Sequence, residues 1–315
     1  MDSEASGEVI VVGGGVIGLA TALVLTWRGH RVRMWSRDPA QRTTSAVAGA
    51  LWWPYRIDPV ERVGPWSVRS LRRYEEWAGR AAETGVRMVE GVHAGTRLDG
   101  LGAWAGEVAG LRDTDRGLAA RLPLIDMPAH LAWLHGELTA TGVPVERRSV
   151  TSLTQATAAA PVVVNCTGLG ARDVVPDPAV RPVRGQLVVV ENPGVRTWFT
   201  AADPASDATT YFFPQPGGLL LGGTAEEDAW SLEPDPAVAD AIVARCAAVR
   251  PEIAGARVLG HRVGLRPARP AVRIEREVTP SGRVLVHNYG HGGAGVTVAW
   301  GCAEEAARLV EGADG

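Results

Sequence analysis

The chain has 315 residues, 32 Lys+Arg against 35 Asp+Glu, a formal net charge of −3 and 46% hydrophobic residues. That balance offers no basic field for nucleic acid or an anionic membrane, and the length is enough to bury the core of one extended domain or two joined ones. Every basic residue is arginine, so a lysine Schiff base and a Walker A phosphate loop are both excluded.

Residues 9–12, Val-Ile-Val-Val, form a continuous apolar run that enters Gly13-Gly14-Gly15-Val16-Ile17-Gly18. Residues 19–27 then read as a buried helix ended by Gly29, and 31–35 as a second strand. Strand, glycine turn, helix and strand within about 30 residues is the context that gives G-x-G-x-x-G its meaning. Gly13 permits the turn, Gly15 lets the backbone approach a pyrophosphate, and Gly18 lets helix and strand pack closely. Residues 67–85 and 127–142 read as helices, with 143–150 a strand after the second. Residues 161–165 form another apolar strand, suited to burial on both faces, running into Cys166-Thr167-Gly168. Residues 184–191, 211–214 and 219–221 look like antiparallel strands, the last two joined by the turn Gln215-Pro216-Gly217-Gly218. Residues 258–263 and 283–288 follow as strands. The second of these enters another glycine loop, Gly290-His291-Gly292-Gly293-Ala294-Gly295, and 298–311 closes the chain as a helix.

The three cysteines, Cys166, Cys246 and Cys302, are odd in number and widely spaced, so neither a disulfide framework nor a metal site is expected, and a reducing cytoplasm fits best. No run approaches the roughly 18 apolar residues of a membrane span. Residues 1–8 lack the basic-then-apolar order of a secretion signal.

The first glycine loop reports only a pyrophosphate and leaves NAD, NADP and FAD open. At the end of the second strand stand Trp35-Ser36-Arg37-Asp38. Ser36 and Arg37 suit a 2′-phosphate, whereas Asp38 suits a free ribose. The second glycine loop favours a flavin, because the helix after it aims its positive end where reduction places negative charge.

The segments VVGGGVIGLA (11–20), VAGALWWPY (47–55), VNCTG (164–168), RGQ (184–186), YFFP (211–214), GLRPARPAVRIERE (264–277) and HNYGHGGAGVTVAWG (287–301) resemble the D-amino-acid oxidase family of FAD enzymes. The resemblance runs in family order from residue 9 to about 309, and the last two motifs are the most specific. It implies an α/β chain, α+β overall, in which a Rossmann-type FAD-binding domain (residues 1–56, 125–180 and 267–315) interleaves with an antiparallel-sheet substrate domain (57–124 and 181–266). It also implies hydride transfer from the α-carbon of a D-amino acid to flavin N5. The imino acid hydrolyses to a 2-oxo acid and ammonia, and O₂ reoxidises the flavin to give H₂O₂. Such chemistry needs a clamped substrate and no obligatory nucleophile or metal.

By the same resemblance Arg266 holds the α-carboxylate, Tyr211 reaches it through its hydroxyl, and the Gly293 carbonyl accepts from the amine. A guanidinium fork suits that planar anion. Gly13, Gly15, Val16 and Ile17 fall to the pyrophosphate, Arg37 and Asp38 to the adenosine end, Val150 to the adenine, and Thr43, Thr44 and Ser45 to further phosphate contacts. Gly49, Ala50 and Leu51 lie along the flavin, with Gly292, Gly295, Val296 and Thr297 around the isoalloxazine and ribityl chain. Outside these motifs Arg266 reads as a solvated arginine beside Arg269 and Arg273, Tyr211 as strand packing, and the three hydroxyls as a helix cap. His291 is expected to be structural.

The chain departs from the family pattern in two places. Residues 203–210, Asp-Pro-Ala-Ser-Asp-Ala-Thr-Thr, lack the lid tyrosine of some members, and Ala294 stands where many carry an aromatic. Leu51, Trp52 or Trp53, Tyr55 and Phe213 point to neutral, apolar substrate side chains. Arg56 in the pocket would favour D-aspartate or D-glutamate, and Asp207 would favour D-arginine or D-lysine. The competing readings are a D-aspartate or glycine/sarcosine-type oxidase, an NADPH dehydrogenase resting on Ser36-Arg37, and a non-catalytic flavoprotein. The expected partners are a D-amino acid and O₂, with no nucleic acid and no membrane; monomer and homodimer stay open.

Overall fold

A computed structural model describes residues 7–54, 56–202 and 209–312. The strands are β1 (Val9–Val12), β2 (Val32–Ser36), β3 (Val86–Ala94), β4 (Arg112–Thr114), β5 (Gly117–Ile125), β6 (Val145–Arg147), β7 (Val162–Asn165), β8 (Arg181–Val190), β9 (Trp198–Ala202), β10 (Thr209–Gln215), β11 (Gly218–Gly222), β12 (Glu226–Glu227), β13 (Val258–Val278) and β14 (Val284–His291). One parallel layer runs β14-β7-β1-β2-β6. Its central strand β1 is apolar at every position and fully enclosed, as a strand covered on both faces must be. The helices Val16–Trp27, Met127–Ala140 and Gly295–Val310 supply the apolar side chains on one face, around Leu23, Leu131 and Ala303. Leu153, Ala156 and Ala160 close the other.

The second layer runs β4-β5-β3-β9-β10-β11-β8-β13, antiparallel except for the parallel pair β3 and β9. Its faces follow the two-residue period of a strand. In β11, Leu219 and Leu221 pack beneath the helix Pro236–Val249, whereas Leu220 faces the other core. The two layers are continuous through β13. Its residues 258–268 pair with β8 and its residues 273–278 with β14, with a register shift between Ala268 and Arg273.

The helix after residue 59 runs Val60–Trp77, and short turns carry the chain to Gly85, whose φ of 71° ends the helical stretch expected over 67–85. The strand expected over 143–150 is confined to β6. The strands β3, β5 and β9 and the helix Pro236–Val249 were not anticipated by the pattern of the chain. Among the described residues no helix is long and apolar enough to cross a membrane, and the three cysteines are buried and unpaired.

Candidate active site

A cavity of about 990 Å³ opens at the carboxyl ends of the parallel strands and extends across the exposed face of the second sheet. Crevices at that end of a parallel sheet are where α/β folds bind ligands. At its base lies the first glycine turn. A Cβ on Gly13, whose φ is 122°, would stand 2.3 Å from the Cys166 carbonyl oxygen, and one on Gly18 would stand 1.9 Å from the Gly13 carbonyl oxygen. Both glycines are therefore demanded by the close approach of backbone to backbone. The helix Val16–Trp27 has no side-chain cap of its own; instead Ser45 Oγ accepts from the Val16 N–H at 3.0 Å. Ser45 thus comes from the next segment to face the positive end of that helix.

Around this base the cavity is lined by Gly13, Gly15, Val16, Ile17, Arg37, Asp38, Thr43, Thr44, Ser45, Gly49, Ala50, Leu51 and Val150. Further along it is lined by Tyr211, Arg266, Gly292, Gly293, Gly295, Val296 and Thr297. These positions, the cofactor residues and the three assigned to the substrate carboxylate and amine, therefore border one continuous space. The hydroxyls differ in what they do. Thr43 donates to the Ala40 carbonyl at 2.6 Å and Thr44 to the Leu265 carbonyl at 3.1 Å. Thr297 Oγ1 donates to the Trp53 carbonyl and accepts from the Trp53 N–H, which leaves its backbone, at the start of a helix, to face a ligand. Ser36 Oγ donates to the Asp38 carbonyl at 2.6 Å and sits where a Cβ on Gly14 would be, so its hydroxyl is engaged within the protein rather than open to a 2′-phosphate.

The three arginines of Gly-Leu-Arg-Pro-Ala-Arg-Pro-Ala-Val-Arg part company in the fold. Arg269 pairs with Asp177 at 3.0 Å, and Arg273 with Glu275, Glu277 and the Tyr289 hydroxyl. Burial pushes the Asp177 carboxyl up, but the Tyr289 hydroxyl, the Ala179 N–H and Arg269 outweigh it and hold the group below the usual range. Burial lifts Tyr289 to about 12. Arg266 instead touches only carbonyls, Thr224 at 2.9 Å and Arg184 at 3.5 Å, with no acidic partner among the described residues. Its guanidinium lies over Gly185, where a Cβ would meet it at 2.4 Å, and its stem passes 3.3 Å from the Cβ position of Gly293. Gly185 is the diagonal neighbour of Arg266 across the β8–β13 ladder, which is why the motif Arg-Gly-Gln precedes it by some 80 residues. Arg184 and Gln186 are structural: both are buried and hydrogen-bonded to the loop before the helix Pro236–Val249.

Tyr211 lies across Gly222 and Gly223, whose Cβ positions fall 2.3 and 2.8 Å from its hydroxyl, and its ring stacks on Phe213 at 4.8 Å. Of the two tryptophans considered for the pocket, Trp53 lines it, whereas Trp52 is enclosed and donates to the Ser67 carbonyl. Leu51, Phe213 and Arg56 also line it, Arg56 being exposed. Tyr55 and the stretch 203–208, with Asp207, lie outside the described residues. His291 is enclosed, and burial lowers its pKa to about 3, so it is neutral and a weak base, in keeping with a structural place. Sequence reasoning missed Arg148, whose guanidinium stands 3.8 Å over the Trp35 ring beside Val150, and His93 and Thr200 at the far end. The last two come from strands the pattern did not disclose.

The space suits an extended dinucleotide. It has a helix N-terminus over a glycine turn at its middle, cationic and aromatic side chains beyond β2 and β6, and a second helix start at residues 295–297 beside Arg266.

The chain matches the family model described as FAD dependent oxidoreductase (DAO) over residues 8–309. It is 68% identical to a D-amino-acid oxidase of Streptomyces coelicolor over 98% of both chains. It is 48% identical to a D-amino-acid oxidase of Rubrobacter xylanophilus over 96% of this chain and 95% of that one, and 33% identical to a D-aspartate oxidase of Homo sapiens over 96% and 94%. A solved glycine oxidase from Geobacillus kaustophilus shares the fold, with a TM-score of 0.80 at 20% identity over 98% of this chain and 95% of that one.

Proposed function

The chain belongs to the D-amino-acid oxidase family of FAD-dependent oxidoreductases, and on that premise we propose that it oxidises neutral D-amino acids with Arg266, Tyr211 and Gly293 holding the substrate. FAD-dependent D-amino-acid oxidation is the activity its relatives support. FAD, when bound, supplies the two-electron acceptor for the α-hydrogen of the substrate and returns the electrons to O₂. What the protein contributes is binding and orientation.

The observation that carries the substrate assignment is the state of Arg266: it borders the cavity, is bonded only to carbonyls and meets no acidic side chain among the described residues. A guanidinium so placed is completed by an incoming carboxylate, which it grips with two parallel hydrogen bonds. We assign the Tyr211 hydroxyl to the same carboxylate and the Gly293 carbonyl to the amine. Arg266 and Tyr211 locate the carboxylate and Gly293 the amine; the wall that receives the side chain locates a third substituent of the α-carbon, and three located substituents select its hand. The cofactor residues are those named from the sequence: Gly13, Gly15, Val16 and Ile17 for the pyrophosphate, Thr43, Thr44 and Ser45 for further phosphate contacts, Arg37, Asp38 and Val150 for the adenosine, and Gly49, Ala50 and Leu51 with Gly292, Gly295, Val296 and Thr297 for the isoalloxazine and ribityl chain. We read Leu51, Trp53 and Phe213 as the neutral wall of the site, which favours uncharged side chains over D-aspartate.

The same reading divides the chain into a nucleotide-binding part (1–56, 125–180 and 267–315) and a substrate part (57–124 and 181–266). The change of pairing partner along β13 at Ala268 supports it. The unpaired cysteines support a cytoplasmic enzyme, and the choice between monomer and homodimer is left to sedimentation. The decisive experiment is anaerobic. Addition of D-alanine or D-methionine bleaches the visible flavin band and L-alanine does not. A yellow protein bleached by no D-amino acid refutes the reading, and faster bleaching by D-aspartate than by D-methionine refutes the neutral preference.

A further inference from the structure

Three strands of the second sheet place their cavity-facing side chains in a single lateral row. His93 of β3 is directly opposite Thr200 of β9, and Thr200 is directly opposite Tyr211 of β10. All three line the cavity. Adjacent strands are about 4.8 Å apart, so His93 lies roughly two strand spacings from Tyr211. The row runs from Tyr211, near which the carboxylate is assigned, toward His93, and a substrate side chain directed away from the carboxylate would lie along it.

His93 is held on two sides. Its Nδ1 lies 2.5 Å from Thr200 Oγ1, and its ring lies against Trp53, with centroids 4.8 Å apart. Trp53 is itself fixed, because Thr297 bonds both its backbone N–H and its carbonyl, and Trp104 packs edge-on to its ring at 5.1 Å. The Nε2 atom of His93 has no hydrogen-bond partner among the described residues. Yet the residue is only 8% exposed. Burial lowers the pKa of this imidazole below the ordinary histidine value, so at neutral pH it is an uncharged group with one nitrogen left over.

We propose that His93, oriented by Thr200 and Trp53, is a specificity-determining residue that reads the substrate side chain through Nε2 and favours D-amino acids bearing a carboxamide. The inference rests on the oxidase reading and deepens it. A neutral imidazole presents either a donor or an acceptor at Nε2, according to which way the proton is shared with Thr200. A carboxamide carries both functions and satisfies either tautomer. A carboxylate would have to shed its water beside an uncharged ring. A thioether or alkyl side chain offers that nitrogen, which opens onto the cavity, no hydrogen bond and displaces the water that could otherwise reach it.

The test uses the purified, FAD-loaded enzyme and two substrates of similar length, D-glutamine and D-methionine. The His93→Phe variant keeps an aromatic ring against Trp53 and removes both nitrogens. The ratio of kcat/KM for D-glutamine to that for D-methionine is expected to fall about tenfold, with the loss on D-glutamine in KM. Thr200→Val, which frees the ring to turn, lowers the ratio by about threefold and serves should His93→Phe fail to retain flavin. A ratio unmoved in both variants overturns the assignment of His93 while leaving the oxidase reading intact. Wild-type enzyme that is inert to both substrates overturns the two together.

Discussion

Gly185 and Arg266 pack as one unit, because the guanidinium occupies the space a side chain at position 185 would need. A Cβ at position 185 would stand 2.4 to 2.6 Å from the guanidinium atoms of Arg266. Those atoms are the far end of a flexible side chain, so a Gly185→Ala protein relieves the clash by moving the guanidinium and keeps its fold. The expected result is a normal flavin spectrum with kcat/KM for D-methionine reduced about 100-fold, since a displacement of about 1 Å in a clamping group costs that much. Arg266→Lys should fall by about 10- to 100-fold through KM, because it keeps the charge and loses the fork, at about 1.5–3 kcal/mol for a hydrogen bond to a charged group. Steady-state kinetics on both variants, with flavin absorbance as the control for folding, checks the pair. A Gly185→Ala enzyme with wild-type KM would show that the arginine does not depend on that glycine.

The helices Val60–Trp77 and Gly295–Val310 approach so closely that a Cβ on Gly301 would lie 2.3 Å from Trp66 Cα and 2.4 Å from its carbonyl oxygen. Backbone cannot yield as a side-chain tip can. Gly301→Ala is therefore expected to cost more than the 1–3 kcal/mol typical of overpacking, and to loosen the helix whose first residues line the cavity. Gly136 provides the contrast: it lies in the helix Met127–Ala140 with nothing within 4 Å of its Cβ position. Gly136→Ala should stabilise by about 0.5–1 kcal/mol through lost freedom of the unfolded chain. Thermal melts of both variants decide it. The same tertiary causes set how much of the fold and site was legible. The parallel strands and glycine turns are local patterns and are seen at once. β3 is not, because its Gly91 makes room for the Trp198 ring and backbone of a strand over 100 residues away, with a Cβ there only 2.1 Å from that ring. Nor is the full length of β13, since Pro267 and Pro270 argue against a strand. They are tolerated because they fall where pairing passes from β8 to β14. His93 and Thr200 escaped notice for the same reason: their meaning lies in the row across the sheet, and the motifs reach only its Tyr211 end.

At the scale of the whole molecule, the buried histidines govern the response to acid. His130 is fully enclosed between the helices Met127–Ala140 and Val60–Trp77, ringed by Tyr74, Trp77 and Trp133, and its Nδ1 is bonded to the Thr84 carbonyl at 2.8 Å. Burial lowers its pKa to about 4, against an ordinary 6.5, and that of His291 to about 3. Above pH 6.5 both groups are neutral in the folded and unfolded chain and exert no pH dependence. Between 6.5 and about 4 the unfolded chain binds protons that the folded one refuses, so stability falls as pH falls. The slope is about 1.4 kcal/mol per pH unit for each such histidine. His130→Asn offers its amide nitrogen to the Thr84 carbonyl in place of Nδ1 and cannot titrate. The variant loses ring packing and is less stable at pH 7.5, but its unfolding free energy should change less steeply between pH 6 and 4.5 by about one proton. Urea denaturation of the holoenzyme at several pH values measures that slope directly, and equal slopes in the two proteins would mean that His130 is already protonated in the fold. Asp177, held below the usual carboxylate range by Tyr289 and Arg269, contributes stability that is present above its unfolded pKa and lost as pH falls through its lower folded value. Its loss begins near the ordinary carboxylate value of 3.8, where His130 has finished titrating and His291 has not, so the limb between pH 6.5 and about 4 belongs to the histidines alone and the two overlap below it.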